Sequence, residues 1–125
     1  PPMNLLPSGS ISGNKLVLGN YLIPLSSRVY PLVANGQSVT LGFRREAVKV
    51  SVEQSSGNGI QLRGEIEALE SDYAQRTQVV YVRDGLWSYS GLCPLDVKLN
   101  LGQIVHVELD PEKLYFFDGN PGKRL

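Results

Sequence analysis

Gly36-Gln37-Ser38-Val39-Thr40-Leu41 and Gly102-Gln103-Ile104-Val105-His106-Val107 open two stretches that lie over one another without a gap, at an offset of 66 (102 − 36). Gly36 meets Gly102, Gln37 meets Gln103, Val39 meets Val105 and Glu46 meets Glu112. The pattern between these identities is shared as well. Each copy starts with a Gly-Gln turn and runs through alternating apolar residues (Val39 and Leu41; Val105, Val107 and Leu109). It then turns a charged corner ending in glutamate and resumes with a second apolar run (Val48 and Val50; Leu114 and Phe116). A two-residue hairpin turn precedes each copy, with Gly19 lying 17 residues before Gly36 and Asp84 lying 18 before Gly102. An isolated hairpin pair is marginal in water, so a unit of this kind must bury its apolar face against a twin. The repeat therefore predicts an all-β chain in which two related strand units, over 13–53 and 77–117, build one domain spanning 1–125.

Local signals place the strands. Gly19-Asn20 between Lys15–Leu18 and Tyr21–Ile23 suits a type II′ turn, which puts Leu16, Leu18, Tyr21 and Ile23 on one face. Asp84-Gly85 reads as a type I′ turn joining Thr77–Arg83 to Leu86–Ser90, with Val80, Val82, Trp87 and Tyr89 sharing a core-facing side. Val48, Val50 and Val52 alternate with Lys49, Ser51 and Glu53, as a strand with one wet face requires. Gln54–Gly59 is a turn, and Gly64 suggests a bulge or bend in the strand beginning at Ile60. Pro1–Ser12 reads as an entering junction and Asp118–Leu125 as closing turns. Helical signals are confined to a turn within Glu65–Glu70 or after Pro111.

Charge and rare residues exclude several chemistries. Lys plus Arg and Asp plus Glu each number 12, which gives no net field to hold nucleic acid or an anionic membrane. Cys93 is the only cysteine, so no intrachain disulfide forms, and a reducing cytoplasmic compartment fits. His106 is the only histidine and lies out of phase with Val105 and Val107, facing solvent; a transition-metal site needs three or four ligands. No apolar run approaches the roughly 20 residues of a membrane-spanning helix, and no Walker A spacing surrounds Gly122-Lys123. The acids Glu65, Glu67, Glu70 and Asp72 read as a solvated strand face and loop, with a carboxylate pair or hard-cation site as the sharper alternative. Glu46, matched by Glu112, suggests an acceptor for corner amides; with Arg44 it is also a candidate partner contact. Pro1-Pro2-Met3 reads as the beginning of a piece excised from a longer protein.

Four segments then resemble one family in the right order. Pro2-Met3-Asn4-Leu5-Leu6, Gly42-Phe43-Arg44-Arg45-Glu46, Leu109-Asp110-Pro111-Glu112-Lys113-Leu114-Tyr115-Phe116-Phe117-Asp118 and Gly122-Lys123-Arg124-Leu125 are similar to the region after the ATPase core in ATP-binding subunits of ABC importers. The resemblance is nearest to the maltose and other sugar or polyol group, and covers almost the whole chain. It departs at Arg45, where the family usually carries proline, and over Leu69-Glu70-Ser71-Asp72-Tyr73, which follows the family pattern only in part.

The resemblance implies OB-like barrels of the MOP or TOBE type, joined through residues 1–12 to a missing N-terminal ATPase domain. ATP and Mg would bind that domain, leaving this segment non-catalytic and without a cofactor. Its partners would be a second copy of the subunit, the permease subunits through the missing domain, and an inhibitory regulatory protein, at the cytoplasmic face of the cell membrane. The candidate partner-facing residues are Arg44, Glu46, Glu70, Asp72, Tyr73, Phe117 and Asp118. Two rival readings remain. One is an oxyanion-binding MOP module, although no Ser-Ala-Arg-Asn-like stretch is present; the other is an OB-type nucleic-acid binder, which the zero net charge and an inward Trp87 oppose.

Overall fold

Ten strands and three single turns of 3-10 helix make up the computed structural model, which describes residues 3–54, 57–119 and 122–125. The strands are β1 (Asn4–Ser12), β2 (Lys15–Leu18), β3 (Tyr21–Pro24), β4 (Ser38–Phe43), β5 (Val48–Ser51), β6 (Ile60–Asp72), β7 (Thr77–Asp84), β8 (Trp87–Pro94), β9 (Ile104–Leu109) and β10 (Leu114–Asp118). The chain, expected as one domain, divides into two compact units: residues 1–4 with 44–113, and residues 5–43 with 114–125. Pro1 and Pro2 of the expected junction, Ser55 and Ser56 of the Gln54–Gly59 turn, and Asn120 and Pro121 of the closing turns lie outside the described residues.

The second of these units is a five-stranded sheet in the order β10-β4-β1-β2-β3. Residues 4–12, expected as a junction, form its strand β1, because Leu6 and Ile11 are buried and supply apolar anchors that outweigh the local Pro, Ser and Gly content. The β2–β3 hairpin has the expected turn and register, pairing Leu16 with Ile23 and Leu18 with Tyr21. Leu16, Leu18, Ile23, Val39, Leu41 and Phe43 form the core of this unit.

The other unit is a closed barrel, β5-β8-β7-β6-β9. Val80, Val82, Val105, Val107, Leu109 and Ile66 fill it. The barrel closes where β5 runs parallel to β8, Lys49 opposite Leu92. Gly91 makes that approach possible, since a Cβ there would lie 2.9 Å from Val48 Cβ and 3.0 Å from Val50 Cγ2. Three local expectations need correction. The β7–β8 turn is Gly85-Leu86, not Asp84-Gly85, because Asp84 pairs with Trp87; Gly85 alone takes a positive φ, 62°, which is the II′ pattern. The two-residue shift leaves the predicted faces intact, yet Trp87 at the barrel end is only half-buried while Tyr89 is buried. The bulge falls between Ile66 and Ala68, and Gly64 instead admits the carbonyl of Arg83, 2.8 Å from where a Cβ would sit.

With the turn corrected, Gly85 stands 66 residues after Gly19, the same offset as Gly102 from Gly36. The repeat is thus β1–β5 against β6–β10, longer than the 13–53 and 77–117 read from sequence. Both Gly-Gln turns are built alike. Gly36 (φ 82°) donates to the Ile11 carbonyl at 2.8 Å and Gly102 (φ 83°) to the Ile66 carbonyl at 2.8 Å, a left-handed conformation that glycine adopts without strain. Each glutamine turns its Oε1 back onto the amide three residues earlier, Gln37 to Ala34 at 2.9 Å and Gln103 to Asn100 at 3.0 Å. That clasp is why the dipeptide recurs.

Two differences separate the copies. The offset is 55 at Ile66 (66 − 11) and 66 from Gly85 onward, so the β6–β7 hairpin carries an insertion of 11 residues (66 − 55) that β1–β2 lacks. The fifth strands are also exchanged. After the 3-10 turn Arg45–Ala47 the first copy's β5 joins the barrel beside β9, and after Pro111–Lys113 the second copy's β10 joins the sheet beside β4. The register shows the symmetry: partners add to 157 in both pairings, Phe43 with Leu114 and Val48 with Leu109.

Candidate functional site

The candidate residues fall into three separate places. Arg44 caps the first 3-10 corner and Glu46 lies within it. Its last residue donates back to its cap, Ala47 N–H to Arg44 O at 3.0 Å, as Lys113 N–H does to Asp110 O at 3.0 Å in the other copy. The expectation that the repeated glutamate accepts corner amides is corrected: Glu46 and Glu112 are both exposed, and in the second copy it is Asp110 Oδ1 that takes the Glu112 N–H, at 2.9 Å. Glu46 instead borders a cavity of about 340 Å³ with Lys49, Asn58, Glu108, Asp110 and Lys113. Three carboxylates against two ammonium groups make this cavity unsuited to a multivalent anion.

Glu70, Asp72 and Tyr73 all lie on the inserted part of the β6–β7 hairpin. Tyr73 is 78 % exposed, and with Arg76, Leu95 and Asp96 it lines a shallow groove. Asp72 Oδ1 accepts the Gln75 N–H at 3.1 Å and so shapes the hairpin tip, where Arg76 takes a positive φ of 55°. Beneath this arm Gln78 is buried and donates its Nε2 hydrogens to the carbonyls of Pro94 and Val97, at 3.0 and 2.8 Å. Phe117 and Asp118 are in the other unit, at the end of β10. Asp118 Oδ1 accepts from Gln37 Nε2 at 2.9 Å, and Phe117 forms a bridge to Arg124. Five of the seven residues thus belong to the barrel unit and two, Phe117 and Asp118, to the other. Among the described residues no cluster of three His, Cys, Asp or Glu side chains is placed to hold a metal ion. Among the described residues no helix is long and apolar enough to cross a membrane.

The residue sequence reasoning passed over is Arg45, between two candidates. Its Nε donates to Ser90 Oγ at 2.9 Å and its Nη2 to the Tyr81 hydroxyl at 3.2 Å, while the guanidinium carbon sits 5.6 Å from the Tyr81 ring centroid. Ser90 is held in turn by Asn4. Asn4 Nδ2 donates to the Ser90 carbonyl at 2.9 Å, and Asn4 Oδ1 accepts from the Ser90 N–H at 3.0 Å and from its hydroxyl at 3.4 Å. Asn4 and Arg45, 41 residues apart in sequence (45 − 4), therefore meet at one serine. Only the departure at Arg45 signalled this in the sequence.

No protein-family profile matches the chain, and no curated protein matches its sequence. Among solved structures it is similar to the cytoplasmic molybdate-binding protein ModG, determined with molybdate bound. The TM-score is 0.65 at 12 % identity, over 92 % of this chain and 94 % of that one. At that identity the likeness is one of fold: the chain has the all-β architecture of a MOP- and TOBE-like OB-type protein.

Proposed function

We propose that this chain is a non-catalytic MOP-type module that receives a ligand, and that the ligand class is a tetrahedral oxyanion of the molybdate kind. The observation that supports this reading is the likeness to a molybdate-binding protein over 92 % of this chain. A duplicated OB-type fold is a binding scaffold, whose chemistry lies in what is grafted on it.

A second reading has its own observation. The ordered segments around Asn4, Arg44, Pro111 and Asp118 favour a C-terminal regulatory and dimerisation domain of an ABC importer's ATP-binding subunit, for sugars or polyols. Several of these residues hold the fold itself: Asn4 clasps Ser90, and Asp118 clasps Gln37. In this reading ATP hydrolysis belongs to a preceding domain, the second copy is the partner, and the place of action is the cytoplasmic face of a membrane.

Calorimetric titration of the chain with sodium molybdate and sodium tungstate, alongside sedimentation over a concentration series, separates the two. Saturable heat with either anion supports the oxyanion reading. Absence of heat overturns it, and a concentration-dependent dimer in that case supports the regulatory one.

A further inference from the structure

We propose that the Arg45 corner is the oxyanion-receiving site, with the guanidinium and the Tyr81 hydroxyl as its donors. This deepens, and rests on, the oxyanion reading above.

An arginine carries five N–H donors. Two are used here, by Ser90 Oγ and the Tyr81 oxygen. The other three have no acceptor among the described residues. Tyr81 accepts from Arg45, and its own hydroxyl hydrogen likewise has no acceptor among the described residues. Arg45 is half-buried, and no carboxylate lies within ion-pair reach of it among the described residues. The acid nearest in register, Glu67 at the bulge beside Tyr81, is engaged by the Ser88 hydroxyl at 3.3 Å. A partly desolvated cation without an ion-pair partner gains by taking one, and the unused N–H and O–H groups here are donors.

The site is also preorganised. Ser90 is buried and fixed by three hydrogen bonds to Asn4, so it holds Nε in place; the Tyr81 ring supports the guanidinium plane from one side. A guanidinium locked at Nε presents its remaining N–H groups as a fork that matches two oxygens of a tetrahedral anion. The cavity beside Glu46 cannot do this, because its carboxylates outnumber its ammonium groups. The Arg45 corner differs in holding its cation by neutral partners, Ser90 and Tyr81, with no carboxylate within ion-pair reach among the described residues.

The test is calorimetry of the whole chain with sodium molybdate at constant ionic strength, on wild type, Arg45→Met, Tyr81→Phe and, as a control in the other unit, Lys15→Met. Expected is saturable binding by wild type and Lys15→Met and none detectable by Arg45→Met. Tyr81→Phe keeps the ring and loses one donor to a charged ligand, so it should bind about tenfold more weakly while staying folded, its stability lowered by no more than the one lost hydrogen bond to Arg45. Tyr81→Phe also decides the matter if Arg45→Met fails to fold. Wild-type affinity in a folded Arg45→Met or in Tyr81→Phe overturns this site and leaves the oxyanion reading standing. No heat from the wild type itself overturns both.

Discussion

Ile11 and Ile66 are one position of two copies of a single unit: each offers its carbonyl to a left-handed glycine at 2.8 Å and its N–H to the following glutamine's carbonyl, at 3.0 and 2.9 Å. The glutamine side chains complete the arrangement, and they differ in one respect. Among the described residues Gln103 makes only the clasp to Asn100, whereas Gln37 also donates to Asp118.

Replacing either glutamine with alanine therefore removes an equivalent clasp, but Gln37→Ala loses one bond more. A side-chain hydrogen bond contributes about 1 kcal/mol net. Urea denaturation should show Gln103→Ala destabilised by about 1 kcal/mol and Gln37→Ala by more. Asp118→Asn should fall between wild type and Gln37→Ala. Equal losses for the two glutamines would mean the Asp118 contact is not formed in solution.

Barrel closure depends on glycine at 91. A methyl group there meets the side chains of Val48 and Val50 on β5, the strand that closes the barrel in parallel with β8. Gly91→Ala should cost about 1–3 kcal/mol, the usual range for overpacking. Its effect should concentrate in amide exchange at Val48–Ser51. Gly13→Ala is the contrast: φ is 61° but no atom lies within 4 Å of the added methyl, so only backbone strain remains, about 1 kcal/mol.

Much of this fold was readable because its signals are local. The Gly-Gln pairs, the Gly19-Asn20 turn and the alternation of Val48 with Val50 each involve neighbouring residues, and the structure places them as expected. The β7–β8 turn was misplaced by the strong Asp84-Gly85 signal. Gly85 supplies the one positive φ that a II′ turn requires, which leaves Asp84 in the strand. Strand exchange was not legible at all: β4 followed by β5 reads identically whether β5 pairs with its own copy or with the other. The Arg45 corner was hidden for a related reason, since it is assembled from positions 4, 45, 81 and 90, which no sequence window contains.

Cys93 gives a pH-dependent prediction. It is buried, and burial first, then the neighbouring charge of Asp96, pushes its thiol up from the ordinary range. A thiol with a raised folded pKa favours the folded state fully below the unfolded thiol's pKa, about 8.5. That contribution is lost as pH rises from there through the folded pKa. Alkylation by iodoacetamide at pH 8 should accordingly be far slower than for free cysteine, and Asp96→Asn should speed it modestly. Rapid labelling of the folded wild type would contradict the burial of Cys93.

The hairpin tip offers a neutral control. Leu86 is 103 % exposed, while Gly85 beside it holds a φ of 62°. Leu86→Asn should leave stability within about 0.5 kcal/mol, as for other surface substitutions, and Gly85→Val should lower it by more than 1 kcal/mol, roughly. Thermal melts of the two variants provide the comparison.

The reciprocal exchange of fifth strands is tested most directly by cross-strand nuclear Overhauser effects in solution. The account predicts contacts between the backbones of Gly42 and Tyr115 and between those of Lys49 and Glu108, pairs that the register places opposite one another. Contacts running instead between β4 and β5, and between β9 and β10, would mean that each copy keeps its own last strand, and would contradict it.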